Sequence, residues 1–276
     1  MPLRGGRMGH YTPTDREIDV TTPSVARMYD WLLGGTDNYA SDREACDHLL
    51  RIAPSSKELA LTNRAFLRRV VRFLAEECEI RQFIDHGSGL PTQDNVHQIA
   101  QKADPQARVV YVDDDPIVLA HGRTMLEENA QTAVLCADMR DTDDIFEHRD
   151  TQRLIDPTKP TAALFVSVLH CLPDASDPAA LLRDVASRLA PGSYLVVCQL
   201  VSDDKAIRDG VTDLMATTTG GRWGRVRSKA EVAEFLRDWR PVEPGLVEVS
   251  RWRPDSQPTV WKQGNEWEEW GGVVAL

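Results

Sequence analysis

An α/β fold, with a mostly parallel central sheet flanked by helices and preceded by a helical extension, is what this sequence predicts. Three observations carry that prediction. Short apolar runs of β type recur at residues 82–85, 109–113, 133–136, 162–168 and 194–199. Helical stretches separate them, and two of these open on a capping acid followed by proline at the first helical position, Asp115-Pro116 and Asp177-Pro178. The first run also passes directly into a glycine turn, Gly87-Ser88-Gly89. Strands alternating with helices in this way build a parallel sheet covered on both faces.

Taken in order, residues 1–22 are rich in Gly, Arg, Pro and Thr with no apolar period, and read as a flexible leader. Ser24 is a natural N-cap. After it, Val25, Met28, Tyr29, Leu32 and Leu33 recur at helical spacing until Gly34-Gly35 stop the helix. A capping-box pattern at Ser41-Asp42-Arg43-Glu44 opens a second helix, which Pro54 closes. A longer third helix places Leu59, Phe66, Val70, Phe73 and Leu74 on one stripe, with Arg68, Arg69, Arg72, Glu76 and Glu77 toward water. Residues 23–79 thus form a helical cap, and residues 80–276 the sheet domain. Late in the chain a helix is expected over 228–239, with Val232, Phe235 and Leu236 on one face, and two further strands over 246–252 and 271–276.

The composition sets limits on function. At 276 residues, 42% hydrophobic and 27% charged, the chain is expected to fold around one main core. Thirty-two basic against 43 acidic residues leave a net charge of −11, which repels polyphosphate backbones and anionic membranes. Neither nucleic acid nor a membrane is expected as a partner. The basic run Arg222, Arg225, Arg227 and Lys229 reads as a solvated loop or helix start. The five cysteines are odd in number, widely spaced and without a C-x-x-C pair, which suggests reduced, mostly buried thiols rather than disulfides or a metal site. No apolar stretch approaches the roughly 20 residues of a membrane span, and residues 1–20 lack the apolar core of a signal peptide, so a cytoplasmic location is expected.

The chemistry gathers at three strand ends. Glycines at 87 and 89 let the backbone turn tightly and approach a ligand, while a helix capped by Thr92 would offer N–H groups to a carboxylate or phosphate. The second strand ends at Asp113 with Asp114 and Asp115 beside it; a carboxylate there can accept both hydroxyls of a ribose, whereas Asp115 reads as a helix cap. At the third, Cys136-Ala137-Asp138-Met139 offers a carboxylate and an apolar face to an adenine. Each of these alone is equally a solvated turn. Together they fall where open α/β sheets bind ligands. A dinucleotide pyrophosphate favours a third glycine, yet Leu90-Pro91-Thr92 follows Gly89. S-adenosylmethionine needs no phosphate cradle: Asp85 can take its amine, and backbone N–H groups its carboxylate.

In these residues the chain resembles the class I S-adenosylmethionine-dependent methyltransferases, and more closely a branch once catalogued as a domain of unknown function. The resemblance spans most of the chain. Segments 26–39, 63–67 and 85–97 (Ala26-Arg-Met-Tyr-Asp-Trp-Leu-Leu-Gly-Gly-Thr-Asp-Asn-Tyr39, Asn63-Arg-Ala-Phe-Leu67, and Asp85 to His97) are specific to the branch. Segments 111–116, 167–174 and 189–193 are general to the superfamily. The resemblance implies a Rossmann-like methyltransferase fold in which Gly87, Ser88 and Gly89 hold the methionyl part of S-adenosylmethionine. It assigns Asp113, with Asp114 beside it, to the ribose, Asp138 and Met139 to the adenine, and the Ser167 carbonyl to the amine. The N-terminal helices would roof the pocket. Two departures stand out: His86 occupies a position that is usually apolar, and Pro91 the place of the third glycine.

For catalysis, His170 lies just past the fourth strand, and an imidazole can take a proton near neutral pH. A capping or core histidine is the competing reading, and it is the favoured one for His86 and His97. Tyr29, a second catalytic candidate, stands with Asn38 and Tyr39 around the Gly34-Gly35 turn, from which they could close over the cofactor. Trp252, Trp261, Trp267 and Trp270 crowd the C-terminus, where they either pack a sheet edge or border an aromatic acceptor pocket. The expected activity is in-line methyl transfer to a small-molecule acceptor, leaving S-adenosylhomocysteine. A nicotinamide-dependent oxidoreductase and a protein that binds S-adenosylmethionine without turnover are the alternatives.

Overall fold

A computed structural model of the chain describes residues 19–92, 94–255 and 266–276. Three helices come first: α1 (Val25–Leu32), α2 (Ala40–Ile52) and α3 (Ser56–Glu76). The alternating part follows with β1 (Gln82–His86), α4 (Val96–Ala103), β2 (Arg108–Asp113), α5 (Pro116–Met125) and β3 (Thr132–Cys136). Then come α6 (Thr142–Glu147), α7 (Arg149–Leu154), β4 (Ala162–Val166), α8 (Pro178–Ser187) and β5 (Tyr194–Val201). The chain ends with α9 (Lys205–Thr218), α10 (Lys229–Phe235), β6 (Arg240–Pro241), β7 (Val247–Glu248) and β8 (Glu268–Ala275).

The strands form one sheet in the order β3-β2-β1-β4-β5-β8-β6, with β7 also paired to β8. β1 to β5 are mutually parallel, and β8 inserts antiparallel beside β5. From β1 the chain steps outward to β2 and β3, then returns to lay β4 on the other side of β1. Connections therefore leave β1 and β4 in opposite directions, and a crevice opens at their carboxyl ends. The strands that flank it are buried on both faces, which their unbroken apolar runs (Val109, Val110, Tyr111 and Val112 in β2) require.

Several elements differ from the sequence expectation, each for a local reason. α2 starts at Ala40, and its reciprocal cap joins Asp42 to the Tyr39 backbone, not Ser41 to Glu44. Asp42 is wholly buried; it also accepts the Ser24 N–H at 2.9 Å and pairs with Arg27 Nε at 2.8 Å. Arg27 in turn donates to the Asp19 and Thr22 carbonyls, and Ser41 Oγ to that of Val20, so residues 19–22 of the expected leader are tied to the cap. Residues 1–18 lie outside the described residues. α4 begins at Val96, four residues beyond Thr92; its cap is Asn95, whose N–H is met by Gln98. β4 stops at Val166 because Ser167 turns into the left-handed region, with φ 57°. α10 is shorter than expected, held between its Ser228–Glu231 capping box and Phe235.

The span 246–252 is not a continuous strand. β7 has two residues, and a 3₁₀ turn (Val249–Arg251) follows. Arg69 explains this: it is buried, not solvated, and it donates to the Trp252 and Val249 carbonyls at 2.9 and 2.6 Å. These bonds swing Trp252 onto α3, edge-on to Phe66 and Phe73 at 5.6 and 5.4 Å. The last strand is longer than expected, running from Glu268, and β6 pairs with its far end. Of the cysteines, only Cys46 and Cys198 are buried, while Cys136 is exposed. Among the described residues no helix is long and apolar enough to cross a membrane.

One contact joins the cap to the sheet domain at the mouth of the crevice: Ser24 Oγ donates to Asp115 Oδ2 at 2.5 Å, while Asp115 Oδ1 caps α5 through the Ile117 N–H. Ser24→Ala is expected to lower the midpoint of thermal unfolding by the equivalent of about 1.5–3 kcal/mol, the net worth of a hydrogen bond to a charged group.

Candidate functional site

A cavity of about 510 Å³ fills the crevice and is roofed by α1 and α3. Its base is the glycine turn after β1. Gly87 has φ 69°, and a Cβ there would lie 2.3 Å from Val168 Cγ2, so only glycine fits; at Gly89 the φ of 67° alone imposes the choice. The turn does not offer its N–H groups to a ligand as expected. Those of Gly87 and Ser88 donate to the Val112 carbonyl at 2.8 and 3.2 Å, and that of Gly89 to Asp113 Oδ2 at 2.9 Å. Nor does the later-starting α4 bring its N-terminus to the cavity: the His97 N–H donates to the Tyr111 hydroxyl. The Ser88 hydroxyl is buried in the turn and has no hydrogen-bond partner among the described residues.

Charge is arranged around this turn in two groups. Asp85, at the end of β1, is buried against the cavity, and desolvation pushes its carboxyl up to about 7 despite the opposing influence of Arg64. Arg64 reaches into the cavity from α3 and donates to the Asp94 carbonyl at 3.1 Å. Sequence reasoning passed over it, although it stands in the 63–67 segment that carries the resemblance. The second group lies at the ends of β2 and β3. Asp113 accepts the Gly89 and Asp115 N–H groups, and burial raises it too to about 7. Asp114 lines the cavity beside it and is raised by burial and by Asp138. Asp138 is held low by the Arg140 guanidinium that grips both its oxygens. Met139 closes this side, its Cε 3.2 Å from where a Gly87 Cβ would be. Asp85, Gly87, Ser88, Gly89, Asp113, Asp114, Asp138, Met139 and Ser167 thus all line one cavity.

Asn38 does not. Its amide is spent on Asp30 Oδ2 and the Gly35 carbonyl, at 2.8 and 3.0 Å, and Arg43 caps its own oxygens. It fixes the turn after α1 rather than closing over a ligand; Tyr39 is exposed at the surface. Tyr29 does face the cavity, yet its hydroxyl donates to the Ala60 carbonyl and accepts from Asn63 Nδ2 at 2.9 Å. Burial raises it well above the ordinary tyrosine range, so it keeps its proton.

His170 sits in a 3₁₀ turn (Leu169–Cys171) after β4 and lines the cavity, 2% exposed. It is not arranged as a base. The Leu200 N–H donates to Nδ1 at 3.3 Å, so the neutral ring carries its hydrogen on Nε2, and burial lowers its pKa to about 3. Behind it, Arg227 overturns the expectation of a solvated basic run. It is fully buried and donates to the Leu169 and Leu172 carbonyls at 3.0 and 2.8 Å, fastening the 3₁₀ turn from below. His86 is stacked on Phe165 at 4.3 Å, and His97 bonds to Tyr111 at 2.7 Å, both in the core.

Two more cavity residues were not foreseen. Glu269 on β8 is buried and takes the hydroxyl hydrogen of Ser167; Trp223 lies against His170 at 4.7 Å. Glu269 could not be placed without the position of β8 beside β5, nor Trp223 without the fold of the segment between α9 and α10. Trp267 lines the cavity, Trp252 packs the core, Trp270 lies on β8, and Trp261 is outside the described residues.

The family profile described as S-adenosyl methyltransferase matches residues 11–276. The chain belongs to that family. It is a methyltransferase with the mostly parallel, helix-flanked sheet of this class, and S-adenosylmethionine is its methyl donor. It is similar to a crystal structure from Thermobifida fusca YX, provisionally described as a methyltransferase, with 39% identity and a TM-score of 0.85 over 94% of this chain and 96% of that one. A DUF574 family protein from Streptomyces avermitilis MA-4680 is similar with 34% identity and a TM-score of 0.84, covering 94% of this chain and 99% of that one. Among curated proteins no match is found.

Proposed function

We propose that this methyltransferase binds S-adenosylmethionine along the carboxyl ends of β1, β2 and β3 and delivers its methyl group in line to a small molecule held under the helical cap. The observation that carries this reading is that the tight Gly87–Gly89 turn lines one cavity together with Asp85 on one side and Asp113 on the other. Asp85 meets the ammonium of the methionyl part, and Arg64, across the cavity on α3, meets its carboxylate in place of the backbone N–H groups that the turn consumes. The Ser88 hydroxyl supplies a further donor. Asp113 and Asp114 take the ribose hydroxyls, and Asp138 and Met139 the edge and face of the adenine. The cavity volume suits a nucleoside together with a small acceptor rather than a macromolecule.

When bound, S-adenosylmethionine supplies a methyl group on a sulfonium, already an excellent leaving group. The chain's own residues then have two tasks: alignment, and exclusion of water by α1 and α3. The His170 Nε2–H acts as a hydrogen-bond donor within the cavity and takes no proton.

Calorimetry with S-adenosylmethionine, S-adenosylhomocysteine and NAD tests the reading. Micromolar-order binding of the first two is expected, and none of NAD. Asp113→Ala is expected to weaken both by at least about 1 kcal/mol through loss of charge-assisted hydrogen bonds. Unchanged affinity in that variant would remove the ribose from Asp113.

A further inference from the structure

Part of the cavity wall belongs not to the sheet but to the apolar cluster under the cap: Met28 and Leu32 of α1, Leu59 of α3, Met215 of α9, and Trp223 and Trp267. Both indole Nε1 atoms are buried and have no hydrogen-bond partner among the described residues. Glu269 stands at the edge of this wall, two residues after Trp267 and opposite Leu200 in the β5–β8 register; Leu200 packs on the same cluster. Glu269 is 2% exposed. One of its oxygens accepts the Ser167 hydroxyl in a short bond, Oε2 is buried with no nitrogen or oxygen partner among the described residues, and the Cys198 thiol lies against the carboxyl. Ser167 itself is half-buried, lines the cavity, and directly follows β4, the strand beside β1.

A buried carboxyl with no cationic partner named beside it is costly to ionise, and such groups, bonded to a hydroxyl that lines a cavity, gather where protons are moved. We propose that Ser167 and Glu269 form a proton relay serving a neutral aromatic hydroxyl acceptor that lies against Trp223 and Trp267. The proposal rests on the donor placement given above. As the phenolic oxygen bonds to the methyl carbon, the carbon–sulfur bond breaks and leaves its electron pair on sulfur. The phenolic proton passes to Ser167 Oγ, and the hydroxyl hydrogen of Ser167 passes to Glu269, which returns it to solvent after the product leaves.

The class of acceptor follows from the surroundings. Flat apolar walls that include the Trp223 and Trp267 side chains suit a fused aromatic ring system. Asp85, Asp113 and Glu269 on the same cavity disfavour an anionic acceptor. Burial pushes the Glu269 carboxyl up to about 7, which brings its proton affinity nearer to a phenol's than to an aliphatic alcohol's.

The test uses 2-naphthol as probe on the full chain. Fluorescence titration into protein saturated with S-adenosylhomocysteine is expected to show saturable binding, and labelled S-adenosylmethionine to yield the methyl ether. Glu269→Gln is expected to leave S-adenosylhomocysteine affinity within about twofold while slowing methylation at least about 100-fold, in the range for loss of a general base. With S-adenosylmethionine saturating at every pH, which removes the influence of Asp85 on donor binding, it should also abolish the rise in rate as pH passes through neutrality. Ser167→Ala, which leaves the carboxylate in place, should act likewise. Failure of 2-naphthol to bind or to be methylated, or methylation that neither variant slows, overturns the relay. So does a loss of S-adenosylhomocysteine affinity in Glu269→Gln, which would assign Glu269 to the donor site. Absence of S-adenosylhomocysteine binding to the unaltered protein would instead sink the donor placement itself.

Discussion

Gly87→Ala is expected to cost at least about 100-fold in affinity for S-adenosylhomocysteine. Two penalties combine. A non-glycine residue in the left-handed region costs about 1–2 kcal/mol. The new methyl group would also lie 2.3 Å from Val168 Cγ2, and Val168 is itself buried and branched, so it cannot swing aside. Overpacking of this kind costs about 1–3 kcal/mol more. The chain can relieve the strain only by opening the turn, which breaks the bonds of Gly87 and Ser88 to Val112 and of Gly89 to Asp113. The loss therefore falls on the site rather than on the distant core. The double variant Gly87→Ala/Val168→Ala removes the clash but not the backbone strain, and about half of the lost binding energy should return. Calorimetry, with thermal unfolding as the folding control, reads both; wild-type affinity in Gly87→Ala would show that the turn is no cradle.

How much of this was legible in the sequence depends on whether the signal was local. The five parallel strands were, because a strand buried on both faces must be written as an apolar run such as Val109 to Val112. So was the placement of Asp113, Asp138 and the glycine turn in one cavity, since the carboxyl ends of the strands of an open parallel sheet lie side by side. What failed depended on distant partners. Arg69 and Arg227 look solvated in sequence, yet each is buried because carbonyls freed by irregular turns need donors. The free N–H groups expected of the glycine turn were misjudged for the converse reason: the acceptors that consume them, the Val112 carbonyl and Asp113, come from β2. Glu269 reaches the cavity only because β8 runs antiparallel into the sheet, a direction no local pattern records.

The pH dependence of donor binding follows from Asp85. Its carboxyl is raised from 3.8 to about 7, chiefly by burial, so in the free protein it is about half protonated at neutrality. An ammonium pairs only with the ionised form. Below about pH 7 each unit of acidification should therefore weaken S-adenosylhomocysteine binding by up to tenfold, with a proton released for each ligand bound. Folding responds in the opposite sense. The folded chain retains a proton that the unfolded chain gives up near 3.8, so this group's contribution to stability is fully present below that pH and is lost as pH rises toward about 7. Asp113 and Glu269, raised to about 7 for the same reason, act in the same direction. The share of stability that these three carboxyls contribute should thus fall from about pH 4 to about pH 7, opposed over much of that range by His86 and His170, which burial lowers to about 4 and about 3, while the stabilisation by ligand grows. Asp85→Asn keeps the shape and removes the charge. It should weaken binding at neutral pH by about 2–3 kcal/mol, roughly 30- to 150-fold, the worth of a charge-assisted hydrogen bond in a buried site. It should also reduce the pH dependence and the proton release to the part that Asp113 contributes, seen as heats of binding that vary less with the ionisation enthalpy of the buffer. Affinity that stays level from about pH 5 to about pH 8 in the unaltered protein would place the ammonium elsewhere, and Arg64 would lose its role with it.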